Sequence, residues 1–165
     1  MKYLATAIVL ILLWSCEEDL PAMPVEIPFT SVDSGGSSYS LGQSAIPIET
    51  PMLFVLRSQE EFDSFWVQHR SGTIPAPPPP EFDFTDVELV ILLDLVRYNS
   101  GFFVKVHRVN QTGQVRRVFA DQSTPGRGCI VFFPVIQPFE MLALPKSRAS
   151  YALEIVVVVR ECGRS

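Results

Sequence analysis

The chain has 165 residues, with 13 Lys and Arg against 18 Asp and Glu and a formal net charge of −5. A mildly acidic chain without a stripe of basic residues has no electrostatic basis for binding nucleic acid, so we expect no nucleic-acid partner. Hydrophobic residues make up 47% of the chain and aromatic residues 11%, which excludes an intrinsically disordered protein and predicts a domain with a hydrophobic core.

Residues 1–15 have the pattern of a secretory signal peptide. Lys2 supplies a positive charge, and residues 3–14 form an uncharged apolar run. That run is shorter than the about 20 residues that a helix needs to span a bilayer, so we expect a removed signal rather than an anchor. Leu13-Trp14-Ser15-Cys16 resembles the lipobox of bacterial lipoproteins, with Trp14 in a position that usually holds a small or β-branched residue. Cys16 is therefore the predicted lipidation site; an ordinary secretory signal with an incidental cysteine is the alternative.

Residues 16–24 are predicted to form an acidic tether. Glu17, Glu18 and Asp19 directly follow the cysteine. Each buried CH₂ group contributes about 0.8 kcal/mol to membrane binding, so a diacylglycerol thioether would hold the protein permanently. Acidic residues here resemble the signal that directs lipoproteins to the outer face in some Gram-negative phyla. We expect a lipid-anchored envelope protein of the outer membrane, on its periplasmic or surface-exposed face; a generic solvated linker is the alternative.

Residues 25–165 are predicted to form a single α+β domain, mainly antiparallel β, with a sandwich-like sheet and one helix. Residues 25–29 are an expected edge strand, because Pro28 cannot donate a backbone hydrogen bond. Residues 31–42 contain adjacent glycines and several serines, a composition typical of a flexible loop. Residues 52–56 predict a short apolar strand.

One amphipathic helix is predicted near residues 58–70. The Ser58 hydroxyl can cap the first free N–H groups while Glu61 reaches back, which is the capping-box pattern. Phe62, Phe65, Trp66 and His69 would lie on one face. His69 is expected to pack or cap near the C-terminus, where the helix dipole favours its charge. Gly72 would end the helix. The prolines at 75 and 77–80 then predict a stiff polyproline spacer, with a partner ligand as the alternative.

The sequence patterns in the rest of the domain predict β-strands. Residues 87–96 are almost continuously apolar, as a central strand covered on both faces would be. Residues 102–107 alternate, and Thr112-Gly113 predicts a hairpin turn into a strand at 115–120. Residues 130–133 and 139–144 flank two prolines, so the chain should bend there. A long last strand would turn five side chains inward: Tyr151, Leu153, Ile155, Val157 and Val159.

Two cysteines remain once Cys16 is lipidated. Cys129 and Cys162 would then lie in a compartment that permits disulfides. A bridge between them would pin the end of the last strand to an upstream turn. Two unpaired thiols and a catalytic thiol are the alternatives.

No catalytic motif is evident. The sequence has no nucleophile elbow, no zinc-protease motif and no phosphate-binding glycine loop, and two histidines are too few for a typical zinc site. We therefore predict no catalytic residue, no metal and no cofactor. Asp94 is unusual within an apolar strand and should pair with Arg97 or with Arg116 or Arg117, or else mark the strand's end. His107 is expected at the surface.

Six short motifs follow one another between residues 55 and 162: Ser58-Gln59-Glu60-Glu61-Phe62 with Trp66 and His69; Asp83-Phe84; Ser100-Gly101-Phe102; Pro125-Gly126-Arg127-Gly128-Cys129-Ile130; Gln137-Pro138-Phe139; and Leu142-Ala143-Leu144-Pro145. In this order they resemble the C-terminal domain family of PrcB, a lipoprotein subunit of a bacterial surface protease complex. The family's turn usually carries Gly-Gly-Tyr where this chain has Ser100-Gly101-Phe102. The resemblance implies an accessory role, stabilising or presenting a secreted peptidase.

These observations predict an anchored, non-catalytic module that binds a protein partner in the envelope. The candidate contacts are Tyr98, Asn99, Ser100, Gly101 and Phe102, because glycine permits a tight loop and aromatic residues carry interface energy. Phe102 could instead continue the inward row of its strand and close the core. Two alternatives remain for the function: a peptidase inhibitor that inserts this loop into a cleft, and an envelope hydrolase that uses Asp94, His107 and Cys129.

Overall fold

The computed structural model describes residues 22–38, 46–70 and 78–162. The elements are, in chain order, β1 (Val25–Glu26), β2 (Thr30–Ser38), β3 (Met52–Leu56), α1 (Gln59–His69), β4 (Val87–Leu93), β5 (Phe103–Thr112), β6 (Val115–Pro125), β7 (Ile136–Pro145) and β8 (Ser150–Arg160). The predicted signal peptide, Cys16, residues 16–21 of the tether and the part of the proline spacer up to residue 77 lie outside the described residues. Within the described ranges, no helix has the length and apolar character needed to cross a membrane.

The strands form two four-stranded sheets. The first sheet has the order β1-β5-β6-β8, and the second has the order β2-β7-β4-β3. All neighbouring strands are antiparallel except β6 and β8, which run parallel. This arrangement confirms the predicted α+β class, mainly antiparallel β with a sandwich-like architecture.

Strand β4 lies between two hydrophobic clusters. Its residues Leu89, Ile91 and Leu93 belong to a cluster with the apolar face of α1. Val90 and Leu92, which point the other way, belong to a cluster with residues of the first sheet. The second sheet is therefore the middle of three layers, which is why β4 is apolar at almost every position.

Helix α1 begins as its sequence predicts. Ser58 is the N-cap, and its side chain accepts a hydrogen bond from the Glu61 N–H at 3.2 Å. The Glu61 carboxylate accepts from the N–H of Arg57 at 2.6 Å rather than from that of Ser58. The helix ends at His69, with Arg70 as C-cap; the predicted terminator Gly72 lies outside the described residues.

His69 packs into the core, as predicted, but it does not carry the charge that the helix dipole was expected to favour. The imidazole is buried, stacked on Phe65 and edge-on to Phe139 with ring centroids 4.2 Å apart. Burial, and next the neighbouring Arg70 cation, lower the pKa of His69 to about 4. Removal from water disfavours the charged form more than the helix dipole favours it, so His69 is a neutral core residue at pH 7.

Two predictions near the N-terminus need correction. Val25–Glu26 form an edge strand as predicted, and the N–H of Ile27 still donates to the carbonyl of Val109 at 2.8 Å, but the strand stops short of the predicted residue 29. The glycine- and serine-rich segment predicted as a loop is largely strand β2, paired antiparallel with β7. Glycine suits this pairing, because a Cβ on Gly36 would lie 3.3 Å from Cβ of Ile136. The distant partner strand outweighs the weak local preference for β-structure.

The last strand is only half covered. Tyr151, Leu153 and Ile155 pack against the cluster between the sheets, as predicted. Val157 and Val159 were predicted to face inward but are about 60% exposed. Strand β8 thus extends past the hydrophobic core. Beyond Ile155 its side chains still alternate between two faces, but neither face is buried.

Candidate protein-binding surface

The predicted contact loop, residues 98–102, begins at a fixed point. Arg97 and Ile136 exchange two backbone hydrogen bonds of 2.7 and 2.9 Å. The Arg97 guanidinium also donates to both carboxylate oxygens of Asp94 at 3.0–3.1 Å. Asp94 is thus paired with Arg97, one of the predicted partners, and it directly follows the last residue of β4. This ion pair, in which the carboxylate is buried, holds the start of the loop in place.

Inside the loop, glycine is required at position 101. Gly101 has φ of +96°, and a Cβ there would lie 3.1 Å from Cβ of Pro125. Phe102 is half-buried and outside both hydrophobic clusters; its ring lies under the Arg97 guanidinium at 4.7 Å. The inward row of β5 starts only at Val104, so the core role considered for Phe102 is not realised. Asn99 is half-buried, and among the described residues its side-chain oxygen has no hydrogen-bond partner.

A second loop, residues 126–135, lies against the first. The N–H of Ser100 donates to the carbonyl of Phe132 at 2.8 Å, and the N–H of Phe132 donates to the Ser100 hydroxyl at 2.9 Å. These two bonds couple the loops, so they present their side chains as one unit.

Four large side chains on these loops face solvent. Tyr98, Ile130, Phe132 and Phe133 are between 73% and 90% exposed, and we call these four residues the apolar surface. Leaving large apolar groups in water is unfavourable by roughly 25 cal/mol per Å², so these two coupled loops are the candidate contact region. Sequence reasoning included Tyr98 but missed the other three, because an apolar run resembles a buried strand. The signal was present in the short length of that run between Gly128 and Pro134.

The disulfide holds the second loop against the end of β8. Cys129 and Cys162 are bonded, with Cα atoms 5.0 Å apart, which confirms the predicted pair. Beside it, the N–H of Gly126 donates to the carbonyl of Arg160 at 2.9 Å, and a Cβ on Gly126 would lie only 2.5 Å from that oxygen. A cavity of about 170 Å³ between the two loops and the bridge has room for a single partner side chain.

The two sheets are joined by buried carboxylates that sequence reasoning missed. Glu88 on β4 accepts from Arg116 at 2.9 Å and from the Tyr151 hydroxyl at 2.7 Å, both on the first sheet. Glu140 on β7 accepts from Lys105 and from the N–H of Val106, both at 2.5 Å. Burial raises the pKa of Tyr151 to about 12, so its hydroxyl stays a donor. These groups are structural pairs, because each buried carboxylate is satisfied by donors of the opposite sheet.

The three residues of the hydrolase alternative have separate partners. Asp94 is bonded to Arg97 and to Gln122. Exposed His107 lies 3.8 Å from an oxygen of Asp121, and the sulfur of Cys129 is in the disulfide. Across the ranges that the structure describes, no three His, Cys, Asp or Glu side chains form a group that could hold a metal ion.

Comparison with protein-family models, with curated proteins and with solved structures found no match.

Proposed function

We propose that this protein is a lipid-anchored envelope lipoprotein whose β-rich domain binds a protein partner and has no catalytic role. The observation that carries the proposal is the apolar surface on two coupled loops. Three of its four residues are aromatic, and tyrosine in particular is enriched among residues that dominate binding energy. A partner that covers these groups removes apolar surface from water, which lowers the free energy of the complex.

The rigidity of the two loops supports binding rather than passive exposure. The Arg97–Asp94 pair, the Ser100–Phe132 bonds and the disulfide all restrict the loops before any partner arrives. A preorganised surface loses little conformational entropy on binding, so more of the contact energy appears as affinity.

A secreted peptidase is the proposed partner class, on the basis of the motifs that resemble the PrcB C-terminal domain family. The domain would stabilise or present this peptidase at the membrane. An inhibitor that inserts loop 98–102 into a peptidase cleft is the second candidate, favoured by the exposure of Tyr98 at the start of a constrained loop. The two candidates predict different effects on peptidase activity. An accessory subunit maintains the activity of the bound peptidase, whereas an inhibitor lowers it.

Replacing Phe132 or Tyr98 by alanine is expected to weaken partner binding about tenfold or more while leaving thermal stability nearly unchanged, since both side chains are exposed. A photo-crosslinking residue at position 132 of the anchored protein should give a discrete adduct that mass spectrometry identifies. Val67→Ala on α1 is the matched control, because Val67 is an equally exposed apolar residue outside the apolar surface. Unchanged binding in the Phe132 and Tyr98 variants would show that this surface is not the site.

Replacing Cys16 by alanine tests the anchor separately. Without the thiol no thioether can form, so the variant should accumulate as unprocessed precursor and incorporate no labelled fatty acid. Fractionation and metabolic labelling measure both effects. If Cys16→Ala matures and stays membrane-bound like the parent protein, the lipoprotein proposal is wrong, whatever the result at the apolar surface.

A further inference from the structure

Strand β8 is a long open edge of the first sheet. It pairs with β6 along its whole length, Ser150–Arg160, and is the terminal strand in the order β1-β5-β6-β8. No strand among the described residues pairs with its other side.

The second half of this edge has none of the usual protection. Residues 156–159 are four consecutive valines, between 38% and 61% exposed, so both faces of the strand are apolar and open to solvent. Natural edge strands generally carry charges, prolines or bulges that prevent pairing with another strand. From residue 155 to 159, β8 carries none of these, and its register with β6 is uninterrupted.

The hydrogen-bonding direction of each β8 residue follows from two contacts. The N–H of Ser150 donates to the carbonyl of Gln114, and the carbonyl of Arg160 accepts from Gly126, both toward the β6 side at 2.9 Å. Since direction alternates along a strand, even-numbered residues bond toward β6 and odd-numbered residues point outward. Ile155, Val157 and Val159 therefore present their N–H and C=O groups at the open edge.

We propose that two copies of this chain associate by antiparallel pairing of their β8 edges, with the twofold axis at Val157. In this register Val157 lies opposite Val157 of the second copy, and both residues bond outward, as an antiparallel pair requires. Val156 lies opposite Val158, so the exposed valines cover one another. The contact is isologous and closed, and it therefore ends at a dimer.

Charge complementarity selects this register. With the axis at Val157, Glu154 lies directly opposite Arg160 of the second copy, twice by symmetry. Glu154 also pairs with Arg117 of its own chain at 2.9 Å, so each carboxylate would lie between two cations. A shift of the pairing by two residues would place Glu154 opposite Val158 or Cys162 instead. Among the described residues, Arg160 has no carboxylate within ion-pair distance, and its guanidinium lies over the ring of Phe103 at 4.8 Å. Dimer formation would give this cation a partner.

Cysteine crosslinking tests the axis with a matched control. In the full chain in its membrane, Val157→Cys should form a disulfide-linked dimer, because Cα atoms of such a pair are about 5.5 Å apart. Val159→Cys, on the same face and equally exposed, should crosslink at least tenfold less, since the two copies of residue 159 would be about 14 Å apart. Equal crosslinking at both positions, a crosslink to a different protein, or none at position 157 would overturn the proposal.

Charge reversal tests the register. Adding Arg160→Glu to Val157→Cys should reduce the dimer yield about tenfold, because two attractive pairs become repulsive. Adding Glu154→Arg as well, in an Arg117→Ala background that removes the cation now 2.9 Å from Glu154, should restore the yield. Sedimentation of the chain without the added cysteine measures the same change in dimer dissociation, and thermal unfolding confirms that each variant is folded. Failure of the double reversal to restore dimer formation would contradict this register, and neither result depends on the apolar surface.

Discussion

Removing the disulfide, with Cys129→Ser and Cys162→Ser together, should lower the free energy of unfolding by about 3.7 kcal/mol. The value follows from the loop entropy of the 33-residue separation, because the bridge restricts the unfolded chain more than the folded one. The urea dependence of unfolding, the m-value, should rise, since an unfolded chain without the bridge is more expanded. Urea unfolding of the parent and the double variant measures both quantities.

The same variant should loosen the apolar surface without unfolding the sheets. Cys129 attaches the second loop to the end of β8, whereas the two hydrophobic clusters do not include either cysteine. Relative to the parent protein, we expect the rate of hydrogen exchange to increase more at residues 126–135 than in β4, whose backbone lies in the middle layer. A loss of stability below about 1 kcal/mol, or equal exchange changes in both regions, would contradict this expectation.

Replacing Arg116 by alanine should lower the free energy of unfolding by about 3 kcal/mol. Arg116 is buried and donates to Glu88 and to the carbonyl of Pro145 at 2.7 Å, so its removal leaves a buried carboxylate with fewer donors. The expected cost is at the lower end of the range for breaking a buried ion pair, because Arg57 and Tyr151 still bond to Glu88. Here the m-value should not change, since the unfolded chain keeps its bridge.

Arg117→Ala is the control for Arg116→Ala. The two residues are neighbours on β6, but Arg117 is exposed and pairs with exposed Glu154 at 2.9 Å. A surface ion pair contributes about 0–1 kcal/mol, so Arg117→Ala should cost less than about 1 kcal/mol. Equal losses for the two arginine variants would show that the Glu88 network does not stabilise the fold.

The sequence by itself predicted the elements that depend on neighbouring residues in the chain. Strand β3 has the predicted bounds, Met52–Leu56, and Ser58 caps the helix as expected. The hairpin turn at Gly113 has φ of +57°, a conformation that glycine adopts readily. The continuous apolar run of β4 indicated a strand covered on both faces, because only a middle layer buries both sides of a strand.

Only the tertiary structure decided which distant residues meet. Strand β2 pairs with β7, about 100 positions further along the chain, so its composition alone resembled a loop. Glu88 and Glu140 are tolerated in the interior because donors from the opposite sheet reach them. Ile130, Phe132, Phe133 and the valines at 156–159 are as apolar as residues of core strands, yet they are exposed. Hydrophobicity is a property of the residue, whereas burial depends on whether another part of the fold lies against it.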